Sequence, residues 1–258
     1  GQLTVAMLLE KGYSVRVLCR SAAKAQTMFN NQVEIVVGDI RNPTTLAAAT
    51  QNINQIICCT GTTAFPSNKW DFENSEQLEG LGSVLEWGKI YLDSIYRQSN
   101  AQNSPEQIDA EGVSNLVKAA PQNLQRFVFV SSCGILRKEQ IPFSILNAYG
   151  VLDAKQKGET AIINSGLPYT IIRPGRLIDG PYTSYDLNTL LKAKTGGKLA
   201  VVVGKGDTLS GDTSRIDVAA ACVESLNNPA AANQVFEIVN QGKRPEIIDW
   251  SALFLSLT

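Results

Sequence analysis

In AYGVLDAKQKGETAIINSGLPYTIIRPG, residues 148–175, the side chains best suited to chemistry are Tyr149 and Lys155, six positions apart. The first part of the stretch reads as a helix and TIIRP as a buried strand. On one face, a phenol and an ammonium would make an acid–base site. At roughly 100° per residue, however, positions six apart on a regular helix point in widely divergent directions. The residue that shares the face of Lys155 one turn back is Val151. Lys155 therefore belongs either to an active site that lacks its acid or to some other task.

Other polar residues gather where strands are expected to end. Arg20-Ser21, Gly38-Asp39, Thr60-Gly61-Thr62, Ser131-Ser132 and Pro174-Gly175 each follow an apolar run. In an open parallel sheet, ligands bind beyond the carboxyl ends of the strands, so these groups are expected to line one crevice. A cofactor bearing a ribose 2′-phosphate needs a guanidinium after the second strand, where a phosphate-free cofactor meets an acid instead. Arg20 stands there with Lys24 nearby, which favours NADP(H) over NAD(H); the plainer reading is a solvated arginine. Asp39 either accepts from an adenine amino group or caps the turn after it. Asp109 is a carboxylate near the crevice or a first-turn helix acid. Arg176 either clamps an acidic or carbonyl substrate or pairs with an acid.

The elements that hold these residues alternate. A helix over Gln2 to Lys11 is followed by strands in SVRVLCR, VEIVVGD, NQIICCTG, RFVFVSS, YTIIRP, KLAVVVG and VFEIVN. Helices intervene near Ala22 to Phe29, Thr44 to Ala49, Ile108 to Ala120 and Asp217 to Leu226, besides the one that carries Lys155. Near-continuous Val, Ile and Leu runs imply strands buried on both faces, hence an α/β doubly wound parallel sheet with a small C-terminal lobe over about 176–258. The chain of 258 residues opens on a helix at Gly1, so the sheet is expected to lack its first strand and glycine-rich turn in this sequence, with Gly1 as the last glycine of that turn.

Composition narrows the function. The sequence contains no histidine, which removes imidazole bases, Ser-His-Asp triads and His-based metal sites, and the scattered cysteines make no zinc site. Its 23 Lys and Arg against 24 Asp and Glu offer no field to gather nucleic acid or anionic lipid. No apolar run is long enough for a transmembrane segment, and the N-terminus lacks a signal-peptide pattern. Five cysteines without a CxxC read as reduced core thiols of an intracellular or organellar compartment.

The segment 74–104 interrupts the alternation. Leu78, Leu81, Leu85, Gly88, Leu92 and Ile95 recur at steps of three and four, widened by Val84, Trp87 and Tyr91, which predicts one amphipathic helix over Leu78 to Ile95. Its stripe packs on its own domain or docks a partner protein with Trp87 and Tyr91 as anchors. Membrane attachment comes third, with only Lys89 and Arg97 basic.

GDIRN, the glycine after IICCTG, VSSCG, AKQKGE, SGLPYTIIRPG and SRIDVA together resemble the motif series of the atypical short-chain dehydrogenase/reductases, the NAD(P)-binding group with a Rossmann fold. GTTAFPSNKW and IRPGRLIDGPYTSYDLNTLLKA are similar to a plant-chloroplast and cyanobacterial branch akin to the NADP-binding half of the translocon protein Tic62. The resemblance covers nearly the whole chain except about 74–104. It implies NADP(H), Gly1 at the pyrophosphate, Arg20 and Ser21 at the 2′-phosphate, and Asp39-Ile40 beside the adenine. It also implies Thr60-Gly61 along the nicotinamide ribose, Ser132 as the active-site serine, Lys155 on ribose hydroxyls and Pro174-Gly175 facing the carboxamide.

By the same resemblance the family tyrosine falls on Val151, which has no proton to give, so Lys155 is read as a cofactor anchor. Asp109 takes a place often held by asparagine in related enzymes. A substitute donor is sought in Tyr149, Tyr182, Tyr185 or Asp186, the last three in a lid-like GPYTSYD segment where Thr183 or Ser184 serves as a helix cap. The expected function is an NADPH-dependent oxidoreductase. The alternative is an inactive NADP(H)-sensing scaffold or assembly factor that holds a photosynthetic or membrane-bound partner through 74–104. The implied location is the chloroplast stroma or thylakoid surface, or the cyanobacterial cytoplasm.

Overall fold

A computed structural model describes residues 1–73, 83–180, 189–190 and 199–258. The first helix, α1 (Gln2–Glu10), leads to β1 (Arg16–Cys19), α2 (Ala22–Phe29) and β2 (Glu34–Val37). A 3-10 turn at Pro43–Thr45 and α3 (Ala47–Thr50) precede β3 (Gln55–Cys58). After a second 3-10 turn at Asn68–Trp70 come α4 (Ser83–Leu92), α5 (Ser94–Asn100), a π-helix at Glu106–Gly112 continuing into α6 (Val113–Ala119), and β4 (Arg126–Val130). Then follow α7 (Phe143–Leu146), α8 (Val151–Ile163), β5 (Tyr169–Pro174), β6 (Arg176–Leu177), β7 (Leu199–Gly204) and β8 (Asp212–Thr213). The order ends with α9 (Arg215–Glu224), β9 (Gln234–Lys243) and α10 (Trp250–Leu255).

The hydrogen-bonded order is β3-β4-β5-β9-β7 in one sheet and β1-β2 in another, with β6-β8 as a third small pair. All pairs are parallel except β7 with β9, so the parallel sheet carries an antiparallel edge. Of residues 176–258, β7 and β9 extend the five-stranded sheet, whereas β6 and β8 stand apart as the small pair. Among the described residues no helix is long and apolar enough to cross a membrane.

Strand alternation sorts the central strands between two cores. Phe127, Phe129 and Ile171 face Val113, Leu116 and Ile162 of α6 and α8. Val128 and Ile172, one residue along, face Val218, Ala221 and Cys222 of α9 and Phe254 of α10. Helices on both faces explain why the strands read as continuous apolar runs. A third cluster packs Leu3 and Ala6 of α1 against Ile216 and Ala219 of α9 and Phe29 of α2.

The segment expected as one helix from Leu78 to Ile95 is two helices where it is described; Leu78 and Leu81 lie outside the described residues. Asp93 breaks it, its Oδ1 accepting the Ile95 and Tyr96 backbone N–H groups as the cap of α5. The buried side differs from the expected stripe. Ile90 and half-buried Trp87 pack with Trp70, Phe72 and Ala101, and Glu86 is buried, accepting the Tyr96 hydroxyl at 3.1 Å and pairing with Lys89. Val84, Leu85, Leu92 and Ile95 are 77%, 77%, 89% and 79% exposed, so the leucine side of the stripe faces solvent.

Candidate dinucleotide site

A cleft of about 790 Å³ opens at the carboxyl ends of β1, β2 and β3, lined by Cys19-Arg20, Gly38-Asp39-Ile40 and Cys59-Thr60-Gly61-Thr62. Its outer wall holds residues to which the sequence reading gave no role: Asn68, Lys69, Asp71 and Asn103. The strand-end motifs of the first half of the chain thus converge as parallel-sheet geometry requires. What the sequence could not signal was the wall, because Asn103 reaches the cleft from the far side of the insertion.

Arg20 is exposed, and its one described side-chain bond is from Nη1 to Asn103 Oδ1 at 3.3 Å. Ser21 caps α2, accepting the Lys24 N–H at 3.4 Å; Lys24 is exposed on the first turn. Asp39 accepts from Arg41 on both oxygens, at 2.9 Å from Nε and 2.5 Å from Nη2. The Arg41 side-chain bond holds the Asp39 carboxyl below the usual carboxylate range. Ile40 is buried in the core between sheet and α6, and Gly1 sits at the start of α1, near Cys59.

Lys155 is not among the residues that line this cleft; it lies behind the Gly61 turn, which does. Its Nζ donates to the Val130 carbonyl at 2.9 Å and the Thr60 carbonyl at 3.3 Å, lies 2.8 Å from Asp109 Oδ1 and sits 4.8 Å from the centre of the Phe129 ring. It therefore ties together the ends of β3 and β4. Asp109 is fully buried in the π-helix, its charge met by the Lys155 ammonium. A Cβ on Gly61 would stand 3.4 Å from both Asp109 Oδ1 and Lys155 Nζ, which places the pair directly beneath that turn.

Gly158 allows α8 to approach the π-helix, since a Cβ there would meet the Asp109 carbonyl oxygen at 2.4 Å. Gly158→Ala gains helix propensity of about 1 kcal/mol but overpacks by about 1–3 kcal/mol. A net loss is expected, seen as a Tm lowered by roughly 2–4 °C per kcal/mol. An unchanged Tm would show that the contact relaxes freely.

Val151 is buried with Ile135 and Leu152, its side chain packed rather than presented to a ligand. Tyr149 precedes α8, which starts after Gly150 in the left-handed region, so the helical angle between Tyr149 and Lys155 does not arise. Its ring instead packs edge-on to Phe65 and Tyr91, with Arg97 4.8 Å above it. Ser132 Oγ donates to the Cys133 carbonyl at 3.0 Å, while Ser131 is buried with an unpartnered hydroxyl. Pro174 is buried; the Gly175 N–H donates to Thr213 Oγ1 at 3.0 Å, and a Cβ on Gly175 would strike the Gly211 carbonyl at 2.3 Å. Arg176 pairs with Asp212 at 2.8 Å and is 79% exposed. Tyr182, Thr183, Ser184, Tyr185 and Asp186 lie outside the described residues.

The residues present fit a dinucleotide. Ser131 Oγ and Thr62 Oγ1, just past the ends of β4 and β3, are buried hydroxyls without hydrogen bonds among the described residues. Such groups are rare in native proteins, and ribose hydroxyls and a carboxamide are of the kind that would satisfy them. At the other end, Arg20 and Lys69 make no ion pair among the described residues, which suits a phosphate.

Comparison with known proteins gives the family. Residues 1–229 match the family model described as NAD(P)H-binding. Sanguinarine reductase of Eschscholzia californica is 31% identical, covering 100% of this chain and 92% of that one. Photosystem II assembly factor Ycf39 of Trieres chinensis is 26% identical over 93% of this chain and 60% of its own length, and chloroplastic TIC 62 of Arabidopsis thaliana 28% over 95% and 35%. Among solved structures, that of the anaerobilin reductase ChuY of Escherichia coli O157:H7 covers 96% of this chain and 93% of its own, with TM-score 0.62 at 21% identity, a likeness of fold.

Proposed function

We propose, from the premise that this chain belongs to the NAD(P)H-binding family, that it is an NADPH-dependent oxidoreductase acting on a small or conjugated acceptor. The observation that carries this is the cleft itself, with Arg20 and Lys69 free of ion pairs among the described residues at one end and the Ser131 and Thr62 hydroxyls without hydrogen bonds at the strand ends. The relative named sanguinarine reductase, matched over 92% of its length, supports reductive chemistry. The chloroplastic relative supports a chloroplast or cyanobacterial setting.

When bound, the reduced nicotinamide supplies a hydride, so that NADPH, acceptor and one proton become NADP⁺ and reduced acceptor. Lys155 ties the ends of β3 and β4 through the Thr60 and Val130 carbonyls and would be the residue to hold ribose hydroxyls, exchanging one of these contacts for them. Ser132, half-buried, turns its hydroxyl from the Cys133 carbonyl to polarise the acceptor. Because Val151 has no proton to give, the proton comes from water or the 181–188 segment. That suits acceptors such as a quinone, flavin or tetrapyrrole, which delocalise the incoming charge without a fixed phenol.

A second reading is favoured by one observation, the solvent-facing Leu85, Leu92 and Ile95 of α4 and α5. On it the protein is an NADP(H)-sensing scaffold that holds a photosynthetic partner, as the name of the assembly-factor relative suggests. Trp87 packs edge-on to Phe72 and supports the local core rather than that face. Purified protein mixed with NADPH and a panel of quinones, flavins and tetrapyrroles decides between the two. Acceptor-dependent loss of NADPH absorbance is the expected result. Tight binding without turnover, with co-purification of a partner lost in Leu85→Asp, selects the scaffold.

A further inference from the structure

The cleft reading assigns the 2′-phosphate to Arg20 at the end of β1. We infer that this anion-recognising edge is completed from the insertion-bearing segment, with Lys69 as its second cation and Asn103 as the positioning residue that aligns Arg20 with it. The inference rests on the reading of the cleft as a dinucleotide site and names what would set its specificity for a ribose 2′-phosphate.

Lys69 sits in the middle of the Asn68–Trp70 turn, exposed at its tip but fixed at its backbone. Ser67 Oγ accepts the Lys69 N–H at 3.3 Å. Behind it the Trp70 side chain is 1% exposed, with its indole N–H donating to the Thr63 carbonyl at 3.0 Å. A cation on so constrained a turn loses less freedom in reaching an anion than one on a free loop.

Asn103 joins the two cations. It is 6% exposed, and its backbone N–H donates to the Trp70 carbonyl at 2.7 Å. Its side-chain oxygen accepts from Arg20, while its amide nitrogen donates to the Lys69 carbonyl at 3.4 Å and to Asp71 Oδ2 at 3.5 Å. Arg41 anchors the adjoining residue, donating to the Gln102 carbonyl at 2.5 Å. Both ends of the insertion thus meet the cleft, bridged by Phe72 with Ala101. Of the acids at this edge, Asp39 is ion-paired with Arg41, and the Asp71 carboxylate accepts from Asn103 and lies in the field of Arg41; Arg20 is close enough to Asp39 to help lower its pKa, but among the described residues neither Arg20 nor Lys69 is ion-paired with a carboxylate. A doubly charged phosphate monoester matches two cations, whereas the hydroxyl of NADH does not.

The test is calorimetric titration of NADPH and NADH into the full chain and its variants. Lys69→Met is expected to weaken NADPH by about tenfold and to flatten its salt dependence, with NADH held within about twofold. Asn103→Asp puts a carboxylate against Arg20 and beside the phosphate, and so should weaken NADPH more than Asn103→Ala does while sparing NADH; a merely structural role would move both dinucleotides together. In the unaltered protein, NADPH should slow amide exchange across α4 and α5 more than saturating NADH does, a readout that needs no variant to fold. Equal losses for both dinucleotides, or none, with equal exchange protection would overturn the inference and leave the cleft reading standing. Failure of the unaltered protein to bind either dinucleotide would remove both.

Discussion

Arg20→Ala should lose its preference for NADPH over NADH, with NADPH weakened by about 10- to 100-fold and NADH changed little. The magnitude follows from a charge-assisted hydrogen bond to phosphate, about 1.5–3 kcal/mol, removed from one ligand only. Arg20 makes no ion pair among the described residues, and its described side-chain bond is to Asn103, so the substitution costs one partly buried hydrogen bond and no ion pair. The fold should be unaffected. Because the guanidinium is exposed, the preference in the unaltered protein should also shrink as salt rises. An unchanged NADPH to NADH ratio in the variant would reassign the phosphate to another part of the cleft.

The second large effect lies at Lys155. Its Nζ contacts Asp109, which is fully buried, and both carbonyls that close the ends of β3 and β4. Lys155→Met keeps the length of the side chain but leaves a buried carboxylate without its counter-charge, for which about 3–5 kcal/mol is typical. Denaturant unfolding should show a loss of that order. Replacing both partners, as in Asp109→Leu with Lys155→Met, should recover most of the stability, because the uncompensated charge has gone. NADPH affinity should stay low in the double variant if Lys155 also reaches the ribose. Stability equal to that of the unaltered protein in Lys155→Met alone would show that the pair carries no such weight.

These two residues differ in how plainly the sequence announces them. Arg20 follows a four-residue strand and precedes a serine-capped helix, a local pattern of strand, turn and helix. Lys155 stands out by residue type, but its role comes only by resemblance, and its family tyrosine is absent. The bonds that define it run to Asp109, Thr60 and Val130, each on a different element. The insertion shows the same limit. Periodicity identified a helical segment, but α4 and α5 bury Glu86 and Ile90 while Leu85, Leu92 and Ile95 face outward. A hydrophobic stripe states that a helix has two sides; which side packs depends on what the rest of the chain presents, here Trp70 and Phe72.

By itself, then, the sequence determined the alternation of strands and helices, the apolar strands sandwiched between helix layers, the cluster of polar residues at strand ends and the absence of imidazole chemistry. Each is a property of nearest neighbours along the chain, set by a side-chain period of about 2 or 3.6 residues or by residue type. Only the tertiary structure decided that Lys155 clamps two strand ends over a buried aspartate, that Tyr149 joins an aromatic cluster, and that Asn103 returns across the insertion to meet Arg20. Those meetings depend on how loops close between distant segments, and hydrogen-bonding partners separated by tens of residues leave no periodic trace in the chain.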